Sequence, residues 1–553
     1  MVMRLPAMIS LSFSTLLAVA GAAQTPPPIP RVGETIEVSI INVDVVVTDR
    51  QGKHVHGLTK DDFEIYEDKK LQPVANFAEY AGGREAMATD ADGSVPSRPA
   101  TEIATRPKRT IVVFLDHFSL LPYEKEFFFG SLKTLLHETI GPGDVVSIVS
   151  WKKMIFTRLP FTNDLAAVDS VLDRIDKEST FLSPDPDSQV EGDRLWREQA
   201  IAVAREKGFN LKYSDIESES GADVAMFEKI EMRKKMHAIQ TLVTAISGFE
   251  GRKVLVLAAT HLSRVAGGVG SQGIISSLGG DYDMFGSIES LGRIAATNNV
   301  TIYPLYPPGL DKDDLRSAEN PDRSDALGKS HQKLSNVLGA MIPIAERTGG
   351  NFAFGPKNIA QFLPHVREDL DSYYSLAYRA TARGSGNDRS IVVKMKNRDY
   401  VARARHDYVD KSPEAKMKDR VIASLFQEPD GATIPIVVEA GAAKRQSKHH
   451  WSVPIHIQIP TASLTTLPGN GERAGEFSVY IAWGGVLGEL SEATRQTQSF
   501  RIPNAKTAEG KAGHFSYDLT LDVDERTQTV VIGVTDEVSQ EFGIHKIELP
   551  PRT

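Results

Sequence analysis

The apolar run Ile111-Val112-Val113-Phe114-Leu115 ends on Asp116-His117, with Ser119 two positions beyond the histidine. A strand buried on both faces of a parallel sheet reads as such a run, and open α/β sheets bind ligands beyond the carboxyl ends of their strands. Asp116 is therefore expected at a sheet rim, where a carboxylate beside an imidazole can hold a cation or meet a partner. A second run, Val254-Leu255-Val256-Leu257, ends shortly before Thr260-His261. Ser119 with His117 or His261 as base would make a nucleophile, but no Gly-x-Ser-x-Gly elbow surrounds it to expose the hydroxyl.

Other constellations carry less chemistry. Gly268-Val269-Gly270-Ser271-Gln272-Gly273 has dinucleotide-fingerprint spacing. The preceding strand ends about ten residues too early, and Gly279-Gly280 interrupts the stretch where a helix should start, so this reads as a loop. His450 and His456 share one face of a β segment and read as surface polar residues. Asp311, Asp313 and Asp314 lack the glycine and terminal glutamate of an EF-hand loop and read as a solvated turn.

No cysteine occurs among the 553 residues, which excludes disulfides, thiolate metal sites and cysteine catalysis. Hydrophobic residues make up 41% and charged residues 24%, as in ordinary globular proteins. The length allows about three or four domains. A net charge of −9 with no long basic run argues against nucleic acid and anionic membrane surfaces as partners. Arg4, the apolar stretch from Met8 to Val19 and the small residues Ala20-Gly21-Ala22-Ala23 read as a signal peptide over 1–23. The stretch is shorter than the roughly 20 residues a span needs. The chain is thus expected to be exported, periplasmic or secreted, with no transmembrane segment after cleavage.

The elements that would position Asp116 can be read from periodicity. A Pro-rich spacer over 24–35 precedes a small β unit over 36–80, and an aperiodic linker covers 81–107. From 108 to 380 strands alternate with helices, which implies a doubly wound, mostly parallel α/β sheet of Rossmann type. Its strands are expected at Ile111–Leu115, Asp144–Trp151, Ile155–Leu159, Lys253–Ala258, Thr301–Leu305 and Asn351–Phe354, with Tyr373–Tyr378 as the last. Polar insertions near 180–225 and 262–286 would lie close to the rim. A β extension over 381–412 and a C-terminal β-rich domain over 413–553, read as a β-sandwich, complete the chain.

The segments Val43-Asp44-Val45-Val46-Val47-Thr48-Asp49 and Gly57-Leu58-Thr59-Lys60-Asp61-Asp62-Phe63-Glu64-Ile65-Tyr66-Glu67-Asp68 resemble exported von Willebrand factor A-related proteins of the acidobacterial type. Gly251-Arg252-Lys253-Val254-Leu255-Val256-Leu257 is similar to the fourth strand of that family's vWA-like domain, and the likeness covers about residues 36 to 410. The resemblance implies a Mg²⁺ site at the rim, built by an Asp-x-Ser-x-Ser motif, a Thr and an Asp. Asp116 matches the first Asp. Phe118 and Leu120 stand at the two Ser places, Ser119 is out of register, Thr180 matches the Thr, and Thr260 replaces the second Asp. A hard octahedral cation needs several oxygens, so this motif is degenerate, and Mg²⁺ or another divalent cation is expected to bind weakly or not at all. By the family's sheet order the first and fourth strands are neighbours. That would gather Asp116, His117 and His261, a set better suited to Zn²⁺.

The leading expectation is a non-enzymatic binding or adhesion-type protein that engages a protein or cell-surface component at this rim. The alternatives are a metal-assisted hydrolase using Asp116, His117 and His261, and an inert structural envelope protein. Partner identity and oligomeric state stay open.

Overall fold

Before the first apolar run the chain forms β1 (Ile40–Asp49), β2 (Phe63–Glu67), β3 (Lys70–Gln72), β4 (Asn76–Ala81) and β5 (Arg84–Thr89). In this computed structural model the described residues are 40–82, 84–89, 108–116, 122–151, 154–178, 221–259, 262–266, 283–307, 323–380, 386–427, 431–469, 471–485, 490–504, 513–524 and 527–549. Then come β6 (Arg109–Leu115), α1 (Pro122–Thr139), β7 (Val145–Trp151), β8 (Ile155–Thr162), α2 (Leu165–Lys177), α3 (Gly221–Ala245) and β9 (Arg252–Ala258). The unit continues through α4 (Phe285–Thr297), β10 (Val300–Tyr306), α5 (Arg323–Thr348), β11 (Ala353–Phe354) and α6 (Pro356–Asp371).

These strands make one six-stranded sheet in the order β11-β10-β9-β6-β7-β8, parallel except for β8 at the edge. Every residue of β6 and of β9 is buried, as continuous apolar runs require. Successive residues feed opposite faces. Ile111, Val113 and Leu115 pack with α1, α2 and α6 through Phe128, Leu132, Val168, Leu172 and Ile359. Val112 and Phe114 pack with α3, α4 and α5 through Met236, Ile239, Leu291 and Met341. From β6 the chain moves one way to β7, and on the other side lies β9. The switch point therefore falls at the carboxyl ends of β6 and β9.

The next segments are β12 (Tyr373–Arg379), β13 (Asp388–Met395), β14 (Tyr400–Arg403), β15 (Asp407–Val409) and α7 (Pro413–Ala423). Here the sequence expectation needs correction. Tyr373–Tyr378 is not the last strand of the α/β sheet. β12 pairs antiparallel with β1 on one side and β4 on the other, and the parallel sheet closes instead on the short β11. Likewise β13 pairs with β2, and β14 with β1. The residues before and after the α/β unit thus build one β module with a shared core of Val43, Val45, Phe63, Phe77, Tyr374 and Tyr378. Alternation of large apolar side chains with polar ones fixes which face a strand buries, but not which sheet it joins. β5 also forms inside the stretch expected to be linker, paired with β4.

The chain enters the base of the sheet tightly at Gly349-Gly350, after α5. Gly349 has φ +76°, and a Cβ there would lie 2.7 Å from the Ala404 carbonyl carbon; one on Gly350 would lie 2.0 Å from the Ile302 oxygen. Only glycine permits this approach of α5 to both β10 and the β module.

The remaining strands are β16 (Val437–Ala440), β17 (Lys444–Arg445), β18 (His450–Pro460), β19 (Leu467–Pro468), β20 (Glu472–Gly485), β21 (Thr494–Pro503), β22 (His514–Asp524), β23 (Thr527–Asp536) and β24 (Phe542–Glu548). They form two antiparallel sheets, one around β18 and β22 and one around β20 and β23. Val453, Ile455 and Leu519 from the first meet Val479, Ile481 and Ile532 from the second in one core. α7, capped by Ser412 and begun by Pro413, seats Met417 and Val421 on Tyr480 and Val531 and joins this unit to the rest. No helix among the described residues is long and apolar enough to cross a membrane.

Candidate functional site

Asp116 lies at the switch point, as its place after β6 requires. Its backbone N–H donates to Ala258 O at 2.9 Å, tying the end of β6 to the end of β9, and the residue is 6% exposed. On the next strand Ala259 N donates to Leu305 O at 3.1 Å, so the three central strands finish level. Beyond them, residues 262–266 are held against α5: Asn336 donates to Val265 O at 2.8 Å and accepts from Val265 N at 2.8 Å.

The decisive partner of Asp116 comes from α3. This helix buries Met232, Met236, Ile239 and Val243, and Lys235 falls on the same stripe. Its ammonium donates to Asp116 Oδ2, with both side chains almost wholly buried. A buried carboxylate without a counter-charge would be costly, and Lys235 supplies that charge from within the chain. The Lys235 ammonium holds one of the two Asp116 carboxylate oxygens and would repel a doubly charged ion placed beside it. Lys125 on α1 and Lys229 on α3 are also buried. Lys125 donates to Glu178 O at 2.7 Å at the end of α2, and burial lowers its pKa against the pull of Asp176.

Of the residues expected to join Asp116, His117, Ser119, Thr180, Thr260 and His261 lie outside the described residues, as do the Gly268–Gly273 loop, Asp311, Asp313, Asp314 and the signal segment. His450 and His456 do stand on the outer face of β18, opposite Asp524 and Asp518 respectively, and His456 Nδ1 lies 2.5 Å from Asp518 Oδ1. Among the described residues no three His, Asp or Glu side chains are grouped to hold a metal ion.

Lys235 escaped the reading of motifs. Its signal was present: a lysine three residues after Met232 and four before Ile239 sits on an apolar helical stripe, where a charge needs a buried partner.

No known family profile matches the chain, and no curated protein matches it in sequence. The fold has remote solved neighbours. One is BatB from Bacteroides thetaiotaomicron, at 12% identity over 48% of this chain and 98% of that one, with TM-score 0.21. Another is the vWF domain of the type V pili tip protein Mfa5 from Porphyromonas gingivalis, at 12% identity over 48% and 95%, with TM-score 0.21. A third is proximal thread matrix protein 1 from the mussel byssus, at 9% identity over 49% and 48%, with TM-score 0.23.

A second charged centre lies at the opposite end of the sheet, where the β module docks. Asp369, near the end of α6, is 3% exposed in its side chain and accepts from His54 Nε2 at 2.9 Å, Arg403 at 2.6 Å and the Tyr303 hydroxyl at 3.2 Å. Burial alone would raise its pKa; the His54 hydrogen bond and the Arg403 charge outweigh that and hold it below the usual carboxylate value. Lys253, at the start of β9, donates to Phe249 O at 3.0 Å. Burial, with Arg405 and Lys411 nearby, pushes its pKa down to about 8 from an ordinary 10.5. A lowered lysine pKa destabilises the fold below pH 8, where the ammonium is charged in both states. That penalty fades as pH rises from 8 towards 10.5, where only the unfolded chain stays protonated. Lys253→Met is therefore expected to stabilise by about 1–3 kcal/mol at pH 7. Its advantage should shrink in melts at pH 10, and an equal advantage at both pH values would contradict the assignment.

Proposed function

We propose that the α/β unit is a vWA-like module of an exported, non-enzymatic binding protein that meets a protein or surface partner at its rim without a bridging metal ion. The observation that supports this reading is the buried Asp116–Lys235 pair at the switch point of the sheet. In a metal-bridged rim, the ion links the protein's carboxylate to the partner's. Here Lys235 neutralises Asp116 internally, so partner contacts would come from the surrounding loops. The hydrolase reading needs an Asp116 oxygen for its metal, and the Lys235 contact works against it.

Metal analysis and thermal melts of residues 24–553 in EDTA, Mg²⁺, Mn²⁺ and Zn²⁺ test the metal-free claim. The expected result is no stoichiometric metal and an unchanged Tm. One equivalent of metal with a raised Tm, both lost in Asp116→Ala, would overturn it. Retention on envelope fractions of the producing cells tests the binding claim. Wild type should be retained to the same extent in EDTA and in Mg²⁺. Strict dependence on divalent cations, or no retention at all, would count against this function.

A further inference from the structure

Between the β module and the base of the parallel sheet lies a small polar cavity, with room of about 10 Å³ for one water-sized occupant. Its wall includes Asp44 from β1, Arg252 from β9, Thr301 from β10, and Arg403 and Arg405 at and just beyond the end of β14. Such a collection is unusual for an interior, because each guanidinium taken out of water needs a matched negative charge.

The matching is incomplete among the described residues. Arg403 is paired with Asp369, and Lys411 with Asp419. The hydrogen bonds of the other cations go to neutral acceptors. Arg252 donates to the Asp369 backbone oxygen at 2.7 Å and stacks 4.5 Å from the Tyr373 ring centre. Arg405 donates to Asn42 O at 2.8 Å and Ala296 O at 3.4 Å, and Lys253 to Phe249 O. Asp44 is the carboxylate that acts on all three. Arg252 also feels Asp369 and Lys253 also feels Asp419, but those carboxylates are already paired with Arg403 and Lys411, so the buried Arg252 and Lys253 and the half-buried Arg405 share Asp44 as their one carboxylate in common. Moreover the Nε–H groups of Arg252 and Arg405 are buried without a hydrogen-bond acceptor, and Arg252 as a whole is only 6% exposed. Two orphaned cationic donors on one cavity wall call for an acceptor, and a negatively charged one is held most strongly.

We propose that this cavity is a chloride site, in which a single halide accepts from Arg252 and Arg405 and supplies the missing charge between the two modules. The size argues for a monatomic ion: a cavity with space for about one water cannot take phosphate or sulfate without opening the interface. Burial lowers the pKa values of Arg405 and Lys253, and at Lys253 the neighbouring charges of Arg405 and Lys411 push the same way. The site joins β1 and the β14 end to β9 and β10, so its occupant would act as a clasp between the β module and the sheet.

The test uses the full chain. Thermal melts are run in sodium chloride and in sodium gluconate at the same ionic strength. The expected result is a Tm that rises saturably with chloride and not with gluconate. In Arg405→Gln the rise should disappear. In Asp44→Asn, which removes the competing carboxylate, the half-saturating chloride concentration should fall about tenfold or more. Because Arg405→Gln can fail for structural reasons, the gain in Asp44→Asn is the stronger discriminator. Bromide-soaked crystals should show an anomalous peak between Arg252 and Arg405. Identical melts in the two salts, or a bromide-free cavity, would mean that water alone fills it and would end the proposal.

Discussion

Lys235→Met is expected to lower the stability of the α/β unit by about 3–5 kcal/mol, the usual loss when one partner of a buried ion pair is removed. The methylene stem of lysine is replaced by a side chain of similar volume, so packing against Met232 and Ile239 changes little and the loss is electrostatic. What remains is Asp116 at 6% exposure, without the ammonium that neutralised it. Adding Asp116→Asn should recover most of the loss, because a neutral amide no longer needs that counter-charge. Hydrogen exchange at the β6 and β9 amides gives the local opening free energy for each variant. A loss below about 1 kcal/mol would mean that the pair behaves like a solvated surface bridge, and the metal-free reading of the rim would lose its support. Raised affinity of Lys235→Met for Mg²⁺ would show the opposite side of the same electrostatics, since removing the ammonium returns a carboxylate oxygen to the rim.

Asp369→Ala should be of similar size, about 3–5 kcal/mol, and should act on a different part of the molecule. Asp369 gathers His54 and Arg403 from the β module and Tyr303 from β10 onto one carboxylate. Removing it leaves Arg403 without its carboxylate partner and the Tyr303 hydroxyl without the acceptor at 3.2 Å. Exchange protection should fall first in β1, β12 and β14, before the parallel sheet responds. The pH dependence has a definite sign. Because the folded pKa is held below its ordinary 3.8, the contribution is complete above that value and is lost progressively as pH falls below it through the lower folded pKa. Wild type should thus lose stability in acid more steeply than Asp369→Ala. Parallel acid profiles for the two proteins would show that Asp369 does not clasp the modules.

Much of this molecule can be read from local pattern. Continuous apolar runs mark β6, β7, β9 and β10, because a strand covered on both faces has no polar side to show. The run ending in Asp116 places that carboxylate at the rim, and Gly349-Gly350 marks the end of α5. Absence of cysteine removes whole classes of chemistry without any coordinates. Pattern runs out where partners are distant. Tyr373–Arg379 has the alternation of a strand in any sheet; its hydrogen bonds to Ile40–Val45, more than three hundred residues earlier, decide the sheet. Lys235 stands on an apolar helical stripe in the sequence, but its partner emerges only when α3 is laid across the sheet and its ammonium reaches a carboxylate 119 residues away. The same holds for His54 with Asp369, 315 residues apart, and for the arginines around the interior cavity. Periodicity reports which face of an element is buried, whereas the charge it meets there depends on which elements pack together, and only the tertiary structure decides that.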